Sequence, residues 1–247
     1  MAVDDILEAR GLNKAYGGLQ AVRNCTFTVE RGSITSLIGP NGAGKTTAFD
    51  LINGVVVPDS GQVIFDGVDV TGRLPHTLTR MGMSRTFQIT RDLRDMTVLE
   101  NMVVSSPARG WRTLVGTKVQ RHEKDRAMDL LDFVGISHLA HTPADRLSYG
   151  QRKLLEFASV LMSDPKLVLL DEPAGGVNPA LLERIIDRIQ ALNRSGITFL
   201  LVEHKIDMVM QLSHRVIVMA HGEVLAEGTP DEIQRNDMVL DAYLGKV

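Results

Sequence analysis

The stretch "IGPNGAGKTT" (38–47) sets three glycines, one lysine and two threonines behind an apolar run. From Gly39 to Thr46 it reads G-x-x-x-x-G-K-T, the spacing of a phosphate-binding loop. Glycines let the backbone curl until successive N–H groups converge on an anion. Lys45 then reaches the outer phosphates, the Thr46 hydroxyl can ligate magnesium, and a helix starting near Gly44 adds its positive N-terminal end. The plain alternative is a glycine-rich strand-to-helix turn; a chance match in a chain of this length is on the order of one in a hundred. A second group follows at the end of an apolar run, "KLVLLDEP". There Asp171 can hold magnesium through its water shell, and Glu172 can polarise a water for attack on a phosphate. Structurally the same residues make an ordinary strand exit, with Pro173 breaking the pairing. A third group, "LSYGQ" (147–151), has Ser148 and Gln151 at capping-box spacing. From spacing alone an ordinary helix cap is the better reading. A capped helix start is also an anion site, and it acquires a phosphate if the helix of one subunit closes over the nucleotide of another.

The elements that must carry these residues are short strands and amphipathic helices. "ILEARGL" and "CTFTVE" alternate, and "GQVIFDGVDV" reads as a hairpin across Asp66-Gly67. "SITSLIG" runs straight into the loop. Residues from about 92 to 162 are mostly helical in pattern: Ala127, Leu130, Leu131 and Val134 share one face, and Gly135 supplies a stop. The segment 105–116, with the lone Trp111, has no period and reads as a loop. "KLVLLDEP" and "ITFLLVEH" are continuous apolar runs, as strands buried on both faces should be. Between them "LLERIIDRIQALN" puts Ile185, Ile186, Ile189 and Leu192 on one face, and "HRVIVMAHGEVLAEG" closes with a hairpin-like pair. Strands alternating with helices argue for a largely parallel α/β core.

Composition narrows the classes. The chain has 247 residues, 44% hydrophobic, enough for one large domain or two closely joined ones. Against 30 acidic residues stand 27 basic ones, so a basic surface for nucleic acid is not expected. Cys25 is the single cysteine, which excludes an intrachain disulfide and a cysteine-rich metal site. "MAVDDILEAR" is unlike a signal peptide, and no run approaches the length of a membrane span. A reducing, cytoplasmic setting is the expectation.

Taken together, the motifs resemble the nucleotide-binding subunits of ABC transporters. The order phosphate loop, glutamine, signature, Asp-Glu, histidine runs over nearly the whole chain, and "LSYGQ" resembles the family signature LSGGQ, with Tyr149 in place of the usual glycine. The resemblance implies an α/β fold: a P-loop NTPase core with a mostly parallel sheet, an N-terminal antiparallel β subdomain and an inserted helical subdomain. It implies a single domain over 1–247, with 1–91 and 163–247 as the nucleotide-binding core and 92–162 as the helical signature part. ATP and Mg2+ are the implied cofactors. Gly39, Pro40, Asn41, Gly42, Ala43, Gly44, Lys45, Thr46 and Thr47 would hold the phosphates, and Tyr16 would stack on adenine. Thr46, Gln88 and Asp171 would place the metal. Lys45, Gln88, Glu172 and His204 would carry the chemistry, Glu172 as general base. Ser148 and Gly150 would close the site of an opposing subunit. "AGGVNP" (174–179) stands where many relatives have SALD, so Asn178 replaces an acidic residue there.

Within the family, "SRTFQ", "TVLENMVV" and "LLVEHKIDMVM" are similar to ATP-binding subunits of branched-chain amino-acid importers. That likeness implies a second ATPase subunit (identical or related), transmembrane permease subunits, an external solute-binding protein and a peripheral place on the cytoplasmic face of the membrane. Urea or amide import and lipopolysaccharide export use similar wording. A soluble ABC ATPase would call for a long coiled-coil insertion or two nucleotide modules, neither of which the sequence shows, and a phosphate-loop kinase for an acceptor lid rather than a signature helix.

Overall fold

The computed structural model describes residues 4–86, 93, 95–106 and 121–243. The chain begins with β1 (Asp5–Tyr16), β2 (Leu19–Glu30), β3 (Ile34–Ile38), α1 (Lys45–Ile52), β4 (Ser60–Phe65) and β5 (Val68–Asp69). Next come α2 (Pro75–Met81), β6 (Met83–Arg85), α3 (Val98–Val104), α4 (Arg121–Val134) and α5 (Tyr149–Leu161). The last part holds β7 (Leu167–Asp171), α6 (Pro179–Arg194), β8 (Thr198–Val202) and α7 (Ile206–Leu212). It ends with β9 (Arg215–Ala220), β10 (Glu223–Gly228), α8 (Pro230–Gln234) and α9 (Asp237–Tyr243).

A six-stranded sheet in the order β10-β9-β3-β8-β7-β6 forms the centre. Five of its strands are parallel, and β10 adds an antiparallel edge through the His221-Gly222 turn. Strands β3, β7 and β8 are buried along their whole length. Alternate residues point to opposite faces, and both faces are covered, which explains the unbroken apolar runs. Val168, Leu170, Phe199 and Leu201 pack with Met102, Leu131, Leu155 and Ile186 of the helices. On the other face Leu167, Leu169, Leu200 and Val202 pack with Phe49 and Ile52 of α1 and with Leu7, Leu12, Phe27 and Phe65.

Those last four belong to a second, antiparallel sheet in the order β2-β1-β4-β5. Its β4–β5 hairpin turns at Asp66 (φ 51°) and Gly67 (φ 75°), two left-handed residues as a type I′ turn demands. In α4, Ala127, Leu131 and Val134 are buried while Leu130 is only partly covered. Gly135 ends that helix at φ 78°, the stop its position implied. The unperiodic segment around Trp111 falls largely outside the described residues. Among the described residues no helix is long and apolar enough to cross a membrane.

Cys25 of β2 lies sealed under this second sheet. Burial, with a smaller contribution from the Glu227 charge, pushes its thiol up to about 12. At pH 8 only about one thiolate in ten thousand is then available for reaction. A colorimetric thiol assay is expected to register essentially no reaction in the native protein and one thiol per chain after unfolding.

Candidate nucleotide site

β3 delivers the chain into the glycine loop. Gly39 sits at φ 148°, and a Cβ there would lie 2.1 Å from the Met219 carbonyl oxygen. Gly44, at φ 95°, would put a Cβ 2.3 Å from the Ala21 carbonyl oxygen. Neither position admits a side chain, so the loop is pressed between β9 and the β1–β2 hairpin. Pro40 closes a turn by accepting from the Ala43 N–H at 3.2 Å, while Asn41 and Gly42 are exposed. Gly44 caps α1 and supplies no side-chain acceptor. The first-turn N–H groups of Lys45, Thr46 and Thr47 therefore point out of the helix start uncovered by a cap. The Lys45 ammonium donates to the carbonyls of Gly39 and Pro40 at 2.8 and 2.9 Å. Burial lowers its pKa, and the nearby Glu172 charge works in the opposite direction. Thr46 is exposed at the mouth and Thr47 half-buried.

The tips of β7 and β8 face this loop. Register sets Leu37 of β3 and Asp171 of β7 both beside Val202 of β8, so the three strands end within one residue of one another. Asp171 is 3% exposed, its N–H donates to Thr86 Oγ1 at 3.2 Å, and its Oδ2 accepts from Arg85 at 2.8 Å. Arg85 also donates to Asp50 of α1 at 2.5 Å and lies over the Phe49 ring. Glu172 turns the chain at φ 47° and donates its N–H to the Val202 carbonyl. Its Oε1 lies 3.1 Å from His204 Nε2. Lysine, two carboxylates and an imidazole thus stand at the carboxyl ends of adjacent parallel strands, where open α/β sheets place ligands.

Comparison with known proteins agrees with this layout. A family model described as "ABC transporter" matches residues 22–175, and one described as "Branched-chain amino acid ATP-binding cassette transporter" matches residues 223–247. The chain is 41% identical over 245 residues to the probable branched-chain amino acid transport ATP-binding protein LivG of Archaeoglobus fulgidus, covering 97% of this chain and 95% of that one. The chain belongs to the ABC transporter family. Hydrolysis of ATP is the activity of such a cassette. A solved ATP-binding cassette of an ABC transporter in its ADP conformation superposes with a TM-score of 0.88 at 33% identity, over 98% of this chain and 99% of that one. A dimeric cassette in a post-hydrolysis state with ADP and Pi gives 0.78 at 26% identity, over 91% of this chain and 98% of that one.

Other candidate residues of the cassette lie apart from the loop. Ser148 caps α5 in a reciprocal box with Gln151, and Asn178 caps α6 by accepting from the Leu181 N–H. Ser148 and Gly150 share a groove of about 550 Å³ with Asn178 and Arg184, lined by none of the loop residues. Tyr16 ends β1, is 49% exposed and has the Lys14 ammonium near its ring. Its hairpin touches the loop through Ala21. Gln88 lies outside the described residues.

Two groups at the site escaped sequence reasoning. One is Arg85, which ties Asp171 to α1. The other is Glu203, 3% exposed between β8 and His204. Its Oε1 accepts from the Ala174 N–H at 2.7 Å, and its Oε2 from the N–H groups of His204 and Lys205 at 2.7 and 2.9 Å. One carboxylate thereby holds the residues after both strand tips. A carboxylate directly before the histidine was the only signal in the sequence. Replacing it removes the acceptor of three N–H groups, so Glu203→Ala is expected to lose about 2–4 kcal/mol in urea unfolding. A loss below about 0.5 kcal/mol would show that water serves as well.

Proposed function

We propose that this cassette works as one of a pair of ATPase subunits docked on permease subunits at the cytoplasmic face of a membrane, and powers import of branched-chain or related amino acids. The cargo reading rests on the names of its relatives and on the C-terminal family match. The mechanism rests above all on one observation, the Glu172–His204 contact of 3.1 Å beside the Lys45 loop.

Its residues suit Mg2+ with ATP. The Thr46 hydroxyl and the Asp171 carboxylate are hard oxygen donors, and among the described residues no cluster of three His, Cys, Asp or Glu side chains forms a cage. That fits a metal held mostly by phosphates and water. Held by Thr46 and Asp171, Mg2+ would neutralise phosphate charge. The loop from Gly42 to Thr47 cradles the phosphates, with the first-turn N–H groups of Lys45, Thr46 and Thr47 uncapped, and Lys45 exchanges its loop carbonyls for phosphate oxygens. Tyr16 offers a ring face to the adenine, and Gln88 is assigned to the metal and the attacking water. Glu172 accepts a proton from that water as its oxygen bonds the γ-phosphorus. The bond to the β–γ bridging oxygen breaks, and its electron pair leaves with ADP. His204 holds the carboxylate in place through Nε2 before ATP binds, and donates that N–H toward the γ-phosphate once the carboxylate turns to the water. Ser148 and Gly150 serve the nucleotide of the opposing subunit, a reading supported by the dimeric neighbour with ADP and Pi.

Glu172→Gln is expected to retain ATP and slow turnover by about two to four orders of magnitude. It should also pair in ATP with magnesium, which sedimentation would detect; normal turnover would remove Glu172 as base. Lys45→Ala should weaken ATP binding at least tenfold in a calorimetric titration. His204→Ala should lower kcat roughly a hundredfold and leave nucleotide affinity within about threefold.

A further inference from the structure

Tyr149 occupies the third signature position, where the family usually has glycine, and its side chain makes contacts that a glycine could not. The hydroxyl donates to the Gly175 carbonyl at 3.1 Å. The ring lies against Gly176, where a Cβ would come within 2.9 Å of Tyr149 Cε1. Gly176 is therefore open on the side the tyrosine fills, and the two positions fit as a pair. On the same helix the Lys153 ammonium stands 6.0 Å from the ring centroid.

Gly175 is one hydrogen bond from the proposed base. Its N–H donates to the Glu172 carbonyl at 2.9 Å, while the neighbouring Ala174 N–H is held by buried Glu203. Glu172 needs such restraint, because φ 47° is a conformation that a residue with a Cβ keeps only when its surroundings impose it. The Val202 carbonyl fixes the Glu172 N–H from one side. From the other side the Tyr149 hydroxyl holds the carbonyl of Gly175, and the N–H of the same residue, on the far side of its Cα, holds the Glu172 carbonyl.

We infer that Tyr149 is a positioning residue that couples the signature helix α5 to the Glu172 carboxylate of its own subunit. The inference rests on the reading that Ser148 and Gly150 meet the nucleotide of the opposing subunit. Under that reading, a shift of α5 on closing over one nucleotide is transmitted through two hydrogen bonds to the base that activates water at the other. The phenol reaches across to residues 175 and 176 of its own chain.

Tyr149→Phe removes only the hydroxyl and keeps the ring on Gly176; Tyr149→Gly removes both. Hydrogen exchange of residues 172–177, measured on the chain without nucleotide, should quicken roughly two- to tenfold in Tyr149→Phe, the effect of one neutral hydrogen bond. Thermal unfolding should stay near that of the parent, since the hydroxyl is at the surface. In ATP hydrolysis kcat should fall by a similar factor with KM unchanged, because the base is misplaced and the phosphate loop untouched. Tyr149→Gly should go further in the same direction. Unchanged exchange, or faster exchange with unchanged kcat, overturns the inference. Pairing of Glu172→Gln in ATP tests the opposing-subunit reading separately: its failure would remove the route between sites, while exchange at 172–177 would still decide whether the phenol braces the base.

Discussion

The structure depends on the register of three parallel strands. With Leu37, Asp171 and Val202 level across β3, β7 and β8, Gly39, Glu172 and His204 all emerge at one edge of the sheet. A slip of one residue in β7 would turn Asp171 to the other face and place Leu170 at the tip. Register is held because both faces are buried: Val168 and Leu170 face the helices, Leu167 and Leu169 the antiparallel sheet. The core and the edge that carries the candidate site are therefore one constraint. Packing that has nothing to do with nucleotide decides where the lysine, carboxylates and imidazole meet.

Charges at that edge are satisfied by protein groups. Lys45 donates to carbonyls of its own loop, Asp171 shares Arg85 with Asp50, and Glu203 accepts from three backbone N–H groups. A buried charge without such partners would cost several kcal/mol. The arrangement is also preorganised. Glu203 links the residue after Pro173 to the residues after β8, so the Asp-Glu turn and the histidine are set against each other before any substrate arrives. Positioning and electrostatics are what phosphoryl transfer requires of a protein, since the chain itself forms no covalent bond to the phosphate.

What could be read in the sequence was local. The glycine loop, the apolar runs ending in Asp171 and Val202, the Asp66-Gly67 turn and the Ser148–Gln151 cap are all written within a few consecutive residues, and each has a physical reason at that spacing. Groups whose partners are distant could not be read. Arg85 meets Asp50 and Asp171 across 35 and 86 residues, Glu203 meets Ala174 across 29, and Tyr149 meets Gly175 across 26. In the sequence Tyr149 is only an exception to a motif. Leu130 shows the same limit at small scale: its period matches the buried face of α4, yet it lies at the rim, because periodicity gives direction and says nothing of how far the neighbouring layer reaches. Asn178, which stands where relatives carry an acidic residue, turns out to cap α6.

In the proposed reaction water attacks a γ-phosphate held at the joint edge of β3, β7 and β8, with Glu172 as its base. The most direct measurement is a structure with magnesium, ADP and aluminium fluoride, the planar or square anion standing in for the transferring phosphoryl group. The fluoride is expected in the Gly39–Thr47 loop against the Lys45 ammonium, with an axial water between it and the Glu172 carboxylate and His204 Nε2 within hydrogen-bond reach. An anion seated in the loop with Glu172 turned away, and no water bridging the two, would contradict the proposed reaction.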